Sequence, residues 1–131
     1  MLDKRLLDPN RIRKIQGSFS WVDHRFITGG FLVDLSTIEI LLYLFLVAVC
    51  DRNGISFYHQ DKIASLLKID LASLGKAREG LIHRSLLAYE PPLYQILSLP
   101  VRPVTPLPPE EIMVRQRQAA LQAIRKIQEA L

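Results

Sequence analysis

The chain has 131 residues, of which 49% are hydrophobic and 23% are charged. This composition is typical of a packed globular domain and excludes a disordered tail or a collagen-like chain. The single cysteine, Cys50, excludes an internal disulfide framework and a cysteine-cluster metal site, so we expect a reducing, cytoplasmic compartment. The longest uncharged apolar run, Ile40 to Cys50, has 11 residues. Because about 20 are needed to cross a bilayer, we expect no membrane span.

The net charge of +4 is unevenly distributed along the chain. Residues 1–30 carry six basic and three acidic groups, a net of +3, and residues 100–131 carry five and three, a net of +2. The middle of the chain, residues 31–99, carries six basic and seven acidic groups, a net of −1. The basic excess, which favours a nucleic-acid partner, therefore lies in the two arms and not in the middle.

The N-terminal arm, residues 1–30, begins with a helix signal. Asp8 is a plausible N-cap, and Pro9 suits the first helical position, so the pattern predicts a short helix through Ile15 that stops at Gly17.

The second half of the arm is rich in aromatic and β-branched residues. Ser18 to Phe26 therefore predicts an extended segment, followed by a turn at residues 28–30. Two interpretations of Phe19 and Trp21 stay open: cover for the apolar helix that follows, or a platform on which bases stack.

The strongest predicted helix has an apolar run over residues 38–50 and is opened by Ser36 or Thr37. It is apolar on nearly every face, and a helix of this kind is expected to be buried on all sides. Residues 51–54 end the helix in an Asn-Gly turn, and Ile55 to Tyr58 predicts a short strand.

Two short amphipathic helices and a hairpin follow. The helical patterns cover residues 60–67 and 71–85, and residues 68–70 break them, with Asp70 as the expected cap of the second helix. Residues 86–97 predict a β-hairpin around a turn at residues 90–92.

The order of helix, strand, helix, three-residue break, helix and hairpin resembles the winged helix-turn-helix of bacterial and phage DNA-binding proteins. Residues 61–69 (Asp-Lys-Ile-Ala-Ser-Leu-Leu-Lys-Ile) resemble the family's acidic-x-Ile-Ala-x-x-Leu-x-Ile positioning helix. Residues 77–89 resemble the end of its recognition helix leading into the wing. The resemblance covers residues 31–99 and is nearest to replication initiators and transcription regulators.

This resemblance implies a mainly α fold with a small β-hairpin. A winged helix-turn-helix over residues 31–99 would carry an N-terminal arm (1–30), a proline-rich linker (100–109) and a C-terminal helix (110–131). In such a domain the exposed stripe of the second helix enters the major groove.

A step of 100° per residue selects the side chains that the second helix presents to DNA. Ala72, Lys76, Glu79, Gly80 and His83 are predicted to face outward, flanked by Ser73 and Arg84. Of these we expect four to contact duplex DNA, namely Ser73, Lys76, His83 and Arg84.

Phosphate contacts are expected from a basic cluster in the arm, Arg11, Arg13 and Lys14. Basic arms attached to helix-turn-helix domains commonly lie along the duplex. The alternative is that residues 11–15 form an amphipathic helix packed on the core with its charges in water.

The end of the chain predicts a partner helix. Five prolines occur in residues 100–109, which predicts a semi-rigid linker, and residues 110–131 predict a helix. Its apolar seam at spacings of three and four, broken once by Arg117, predicts a homodimer or docking on the same chain. The expected dimerisation residues are Met113, Ala120, Ile124, Ile127 and Leu131.

Nothing in the sequence predicts an enzyme, a cofactor or a metal site. The three histidines fall in separate elements, and no glycine-rich phosphate loop precedes a helix. The expected function is therefore non-catalytic duplex DNA binding by a dimer, in transcription regulation or DNA replication. The alternative is a winged-helix adaptor or assembly protein that contacts other proteins and no nucleic acid.

Overall fold

A computed structural model describes residues 3–105 and 109–130, with side chains for 3–105 and 113–130. The described fold is mainly helical with a small three-stranded antiparallel sheet. The elements in chain order are α1 (Arg25–Thr28), α2 (Thr37–Val49), β1 (Ile55–Ser56), α3 (Gln60–Leu67), α4 (Leu71–His83), β2 (Leu87–Glu90), β3 (Leu93–Ile96) and α5 (Pro109–Ala130). None of these helices is long and apolar enough to span a membrane.

Helix α2 begins at a capping box, and a turn held by an aspartate side chain follows its end. The Ser36 hydroxyl accepts from the Glu39 N–H at 3.2 Å, and the Glu39 carboxylate accepts from the Ser36 N–H at 2.8 Å, which makes a capping box. After the helix, the Asp51 carboxylate accepts from the Asn53 N–H at 2.8 Å and forms a turn. The helix predicted over 38–50 is thus present one residue earlier.

Helices α3 and α4 are separated by residues 68–70, as the sequence predicts. Lys68 ends α3 in the left-handed conformation, with a φ of 59°. The Ile69 N–H then reaches back to the Ala64 carbonyl at 3.0 Å. Asp70 caps α4 through the Ser73 N–H at 3.1 Å. Two short helices therefore meet across a tight turn of defined conformation.

The sheet is built around β3. The order is β1-β3-β2, and both pairings are antiparallel. The predicted hairpin is present, with Pro91 and Pro92, joined by a cis peptide bond, between its two strands. Strand β1 covers only residues 55–56 and adds a third strand to the hairpin, a pairing that the sequence did not predict.

The core lies between α2 and α4, the pair of helices in most extensive contact. Leu42 and Leu46 of α2 and Leu74 and Leu81 of α4 are all 0% exposed. Burying a leucine side chain contributes roughly 1.5–3 kcal/mol, so these four residues are a large part of the stability.

The opposite face of α2 is open, and here the prediction of a helix buried on all sides is wrong. Leu41 and Leu44 are each 41% exposed, and Ala48 is exposed on the same face. In the described chain the neighbours of α2 cover one side only, because the N-terminal arm does not pack along the other.

The side chain that the arm buries in the core is Phe26 and not the tryptophan. Phe26 is buried and stacks on Tyr43 with ring centroids 4.3 Å apart, and it lies in α1, where an extended chain was predicted. Trp21 is 79% exposed and Phe19 is exposed as well, so neither covers the core as one interpretation expected. The position of the arm therefore depends on a contact between distant residues, Phe26 and Tyr43, that exists only in the folded protein.

The first part of the arm lies entirely in water. A 3-10 turn over Pro9–Arg11, capped by Asp8, replaces the helix predicted through Ile15. Every side chain from residue 3 to 19 is exposed, so the alternative of an amphipathic helix packed on the core is wrong.

One glycine of α4 is required by close packing. A Cβ at Gly80 would overlap the carboxylate of Glu39, the residue that closes the capping box of α2. The same carboxylate lies 4.0 Å from Nε of Arg84. Gly80 thus lets the start of α2 and the end of α4 approach each other, and it does not face outward as predicted.

We expect Gly80→Ala to destabilise the protein and Gly75→Ala to stabilise it. A Cβ at Gly75 would meet only Nη2 of Arg78 at 3.8 Å, an ordinary contact. Gly75→Ala should therefore add about 0.5–1 kcal/mol from helix propensity. Gly80→Ala displaces the Glu39 carboxylate and should cost roughly 1 kcal/mol overall. Urea unfolding of the two variants measures the difference, and equal gains from both would contradict the close contact.

Candidate nucleic-acid interface

The outward stripe of α4 is short and mixed in charge. Ala72, Lys76, Glu79 and His83 are exposed along one side of the helix, opposite the buried Leu74. The helical spacing therefore predicts the exposure of these four side chains correctly. It does not predict which charged groups lie next to them.

Lys76 is the exposed cation of this stripe. No ion pair joins it to another residue in the part of the chain that the structure describes, so its ammonium group can take an anionic partner. Glu79 lies about one turn along the helix from Lys76 and His83 about two, and Nε2 of His83 lies 3.9 Å from a carboxylate oxygen of Glu79. This pair is partly exposed and contributes little to stability, but it partly offsets the positive charge of the stripe.

Ser73 is engaged in capping its own helix. Its hydroxyl donates to Asp70 Oδ1 at 2.6 Å, and its N–H donates to Oδ2 at 3.1 Å. The side-chain hydrogen bond is the larger cause that holds the pKa of Asp70 below its ordinary value. The Ser73 oxygen keeps acceptor capacity, but its proton is committed to the cap.

Arg84 is turned toward α2 instead of toward solvent. Its side chain is 18% exposed, and its Nε lies 4.0 Å from a Glu39 carboxylate oxygen that is itself little exposed. No hydrogen bond to Nε is present within the described residues. Arg84, like His83, therefore already has a carboxylate beside it, and unlike His83 it is largely withdrawn from solvent.

The sequence analysis missed Arg78. Its guanidinium lies 4.4 Å from the ring centroid of Tyr89 and donates to the Tyr94 hydroxyl at 3.2 Å. The two tyrosines pair directly across β2 and β3, with ring centroids 4.5 Å apart. This arrangement fixes a cation where α4 meets the hairpin, and no acidic side chain within the described residues is paired with it.

A sequence signal for this cluster exists. Arg78 follows the buried Ala77 at the edge of the inward stripe, and the two tyrosines flank the hairpin turn at nearly symmetrical positions. Burial raises the pKa of Tyr94, while Arg78 acts in the opposite direction, so the phenol stays protonated and can accept from the guanidinium at neutral pH.

The basic cluster of the arm is accessible but separate. Arg11, Arg13 and Lys14 are exposed, and no hydrogen bond or ion pair links them to α4 within the described residues. The arm is attached to the domain at a later residue, Ser20, whose hydroxyl donates to the Ala48 carbonyl at 3.3 Å near the C-terminal end of α2. The arm cations are therefore accessible to an anionic ligand.

A groove of about 360 Å³ lies between the arm, the end of α2 and the segment after β3. Trp21, Tyr43 and Leu99 are among its walls, with Arg52 at its edge. Among the described side chains, those of residues 3–105 and 113–130, no cluster of three or more metal-ligating groups occurs.

The predicted dimerisation residues lie on one exposed face of α5. Met113, Ala120, Ile124 and Ile127 are all exposed to solvent, and Leu131 lies outside the described residues, as do residues 106–108 of the predicted linker. Nothing in the described chain covers this face.

No protein-family model matches the chain, and no curated protein or solved structure matches it significantly. The functional interpretation therefore depends on the geometry of the chain itself.

We expect Ser73→Ala to raise the pKa of Asp70 toward its ordinary value near 3.8. The variant removes the hydroxyl that donates to the carboxylate, and an NMR pH titration of the Asp70 carboxyl carbon measures the change. Because the folded-state pKa is lowered, this hydrogen bond stabilises the protein above the unfolded pKa and is lost as pH falls through the folded one.

Ser65→Ala, a change of an exposed serine on α3, is the matched control and should leave the Asp70 titration unchanged. An unchanged Asp70 pKa in Ser73→Ala would mean that the hydroxyl is not committed to the cap.

Proposed function

We propose that residues 31–99 form a winged helix-turn-helix that binds duplex DNA without catalysing a reaction, in a regulatory or replication-associated role. The order of α2, β1, α3, α4 and the hairpin supports this proposal. So does the three-residue turn between α3 and α4. The observation that carries the proposal is Lys76, which is exposed at the centre of the outward stripe of α4 and has no ion-pair partner among the described residues.

In the proposed complex, α4 lies in the major groove, which is wide enough to admit a helix. Lys76 donates to a guanine edge or a phosphate. Ala72, a small apolar residue, can contact a thymine methyl group, and Glu79 can accept from the amino group of cytosine. This gives few base contacts, so the sequence preference of α4 is expected to be limited.

Most of the affinity is expected from phosphate contacts outside the stripe. The domain has a net charge of −1, whereas residues 1–30 have a net of +3, and Arg11, Arg13 and Lys14 are free to follow the duplex. Arg78 adds a fixed cation beside the hairpin. The hairpin turn itself, Pro91 and Pro92, offers no backbone N–H for a phosphate.

The proposed DNA-binding form is a dimer assembled through α5. The exposed apolar face of α5 supports this proposal, because a helix with such a face is stable in water only when the face is covered. Two linked copies would present two α4 helices to two half-sites.

A second candidate function is a winged-helix module that contacts other proteins and no nucleic acid. The observation that favours it is the amount of exposed apolar surface, on α2 (Leu41, Leu44) and in the arm (Phe19, Trp21). Large exposed apolar patches mark interaction sites more often than free surface.

We expect the affinity for a random duplex to fall steeply with salt, with Lys76→Gln reducing the log–log slope by about 1. Fluorescence anisotropy at several salt concentrations measures both quantities. Arg52→Gln, a change of an exposed cation in the turn after α2, is the control and should leave the slope unchanged.

Binding that does not depend on salt, or that is unaffected by Lys76→Ala, would contradict DNA binding by this face. A chain that binds no duplex at low salt would favour the protein-interaction module.

A further inference from the structure

The outer face of α2 has the character of an interface. Leu41 and Leu44 are substantially exposed on it, and Ala48 continues the stripe at a spacing of four. From Ile40 to Cys50 the helix carries no charged side chain, so the stripe has no polar interruption. A helix that is apolar all round is normally covered on all sides, which predicts a partner for this face.

The apolar face of α5 is too wide for a simple two-stranded coiled coil. With Ile124 and Arg117 at heptad position a, the flanking e positions are Val114 and Leu121, and neither e nor g carries a charge over residues 113–130. Two-stranded coiled coils usually have a narrow a/d seam bordered by charged e and g residues. A face formed by a, d and e positions instead fits the surface of a folded domain.

The seam also argues against α5 pairing with α5 in parallel. Arg117 lies at an a position, so a parallel pair would bring its guanidinium against that of the second copy within an apolar interface. Like charges placed together in an interface are unfavourable.

Charge favours the folded domain as the surface that receives α5. Helix α5, residues 109–130, carries four basic and three acidic side chains, a net of +1, whereas residues 31–99 have a net charge of −1. These opposite net charges favour α5 on the folded domain over α5 on a second α5.

The connection between the domain and α5 favours packing of α5 on the α2 of a second copy over packing on the α2 of its own chain. Its first part is held to the domain, since Arg25 donates to the carbonyls of Leu99 and Pro100 at 3.2 and 3.3 Å. In the structure of the single chain, every side chain from residue 113 to 130 is exposed, so this part of α5 does not cover the outer face of its own α2.

We propose that α5 of each copy packs along the outer face of α2 of a second copy, so that two equivalent contacts form a closed dimer. This deepens the dimer assembled through α5 under Proposed function and rests on it. At a rise of 1.5 Å per residue, α5 is about 33 Å long and α2 about 20 Å, so α5 can cover the whole stripe. The contact leaves α4 free, because α4 packs on the other side of α2.

Leu44→Glu tests the receiving face, with Leu66→Glu as the matched control. Both leucines are similarly exposed, at 41% and 49%, but Leu66 lies on α3. Sedimentation of the full chain should give a dimer dissociation constant that Leu44→Glu raises at least roughly tenfold and Leu66→Glu leaves unchanged. Circular dichroism checks that both variants keep their helices, and equal dimer affinity in both would overturn the proposal.

Cross-linking identifies the two helices that meet. In a Cys50→Ser background, which removes the one native cysteine, single-cysteine chains Leu44→Cys and Ile124→Cys are mixed and treated with a flexible bismaleimide. The proposal expects a cross-linked species of twice the 15.0 kDa chain mass that requires both variants. Cross-linking of Ile124→Cys with itself alone would show α5–α5 pairing and overturn the proposal.

Two further results would also overturn the proposed interface. A chain that carries both cysteines and cross-links only within itself at high dilution overturns the exchange between copies. A protein that stays monomeric at every concentration removes both this interface and the proposed dimer. DNA affinity of the same samples is measured separately, so that a failure of DNA binding is distinguished from a failure of the interface.

Discussion

The packing of α2 against α4 determines which surfaces the domain presents. Leu42 and Leu46 on one helix, with Leu74 and Leu81 on the other, are withdrawn from water completely. Because these residues fix the rotation of both helices, α4 turns its polar stripe to one side of the domain and α2 turns an uncharged apolar stripe to the opposite side. At Gly80 a Cβ would displace the Glu39 carboxylate, so this glycine lets the two helices come close at one end.

These two exposed faces suit different partners, and the distribution of charge connects them. The domain itself is almost neutral, so in the proposed complex the surroundings of α4 would add little attraction to DNA, and Glu79 would reduce it further. The basic excess belongs to the arm and to the C-terminal region, which are outside the domain. A dimer would bring together two arms and two α4 helices, and the summed phosphate contacts of both copies would then compensate for the few base contacts of each.

Local signals predicted the central part of the fold well. Three features depend only on residues close together in the chain: the break at residues 68–70, the cap at Asp70 and the helical spacing of α3 and α4. Such local features can be predicted from a single sequence. The outward positions of Lys76 and His83 follow from the same spacing. The capped turn at Asp8 was also foreseen, but the helix beyond it was not formed, because a short helix needs tertiary contacts that the arm lacks.

Contacts between distant residues could not be predicted in the same way. Phe26, and not Trp21, anchors the arm, because only Phe26 meets Tyr43 in the folded chain. The pairing of Arg84 with Glu39 and the cluster of Arg78 with the hairpin tyrosines depend on how the elements pack. The most direct test of the central claim is an NMR titration of the labelled chain with a random duplex. The account predicts chemical-shift changes concentrated on the outward stripe of α4 and on residues 11–14; changes confined to the outer face of α2, or no changes at low salt, would contradict it.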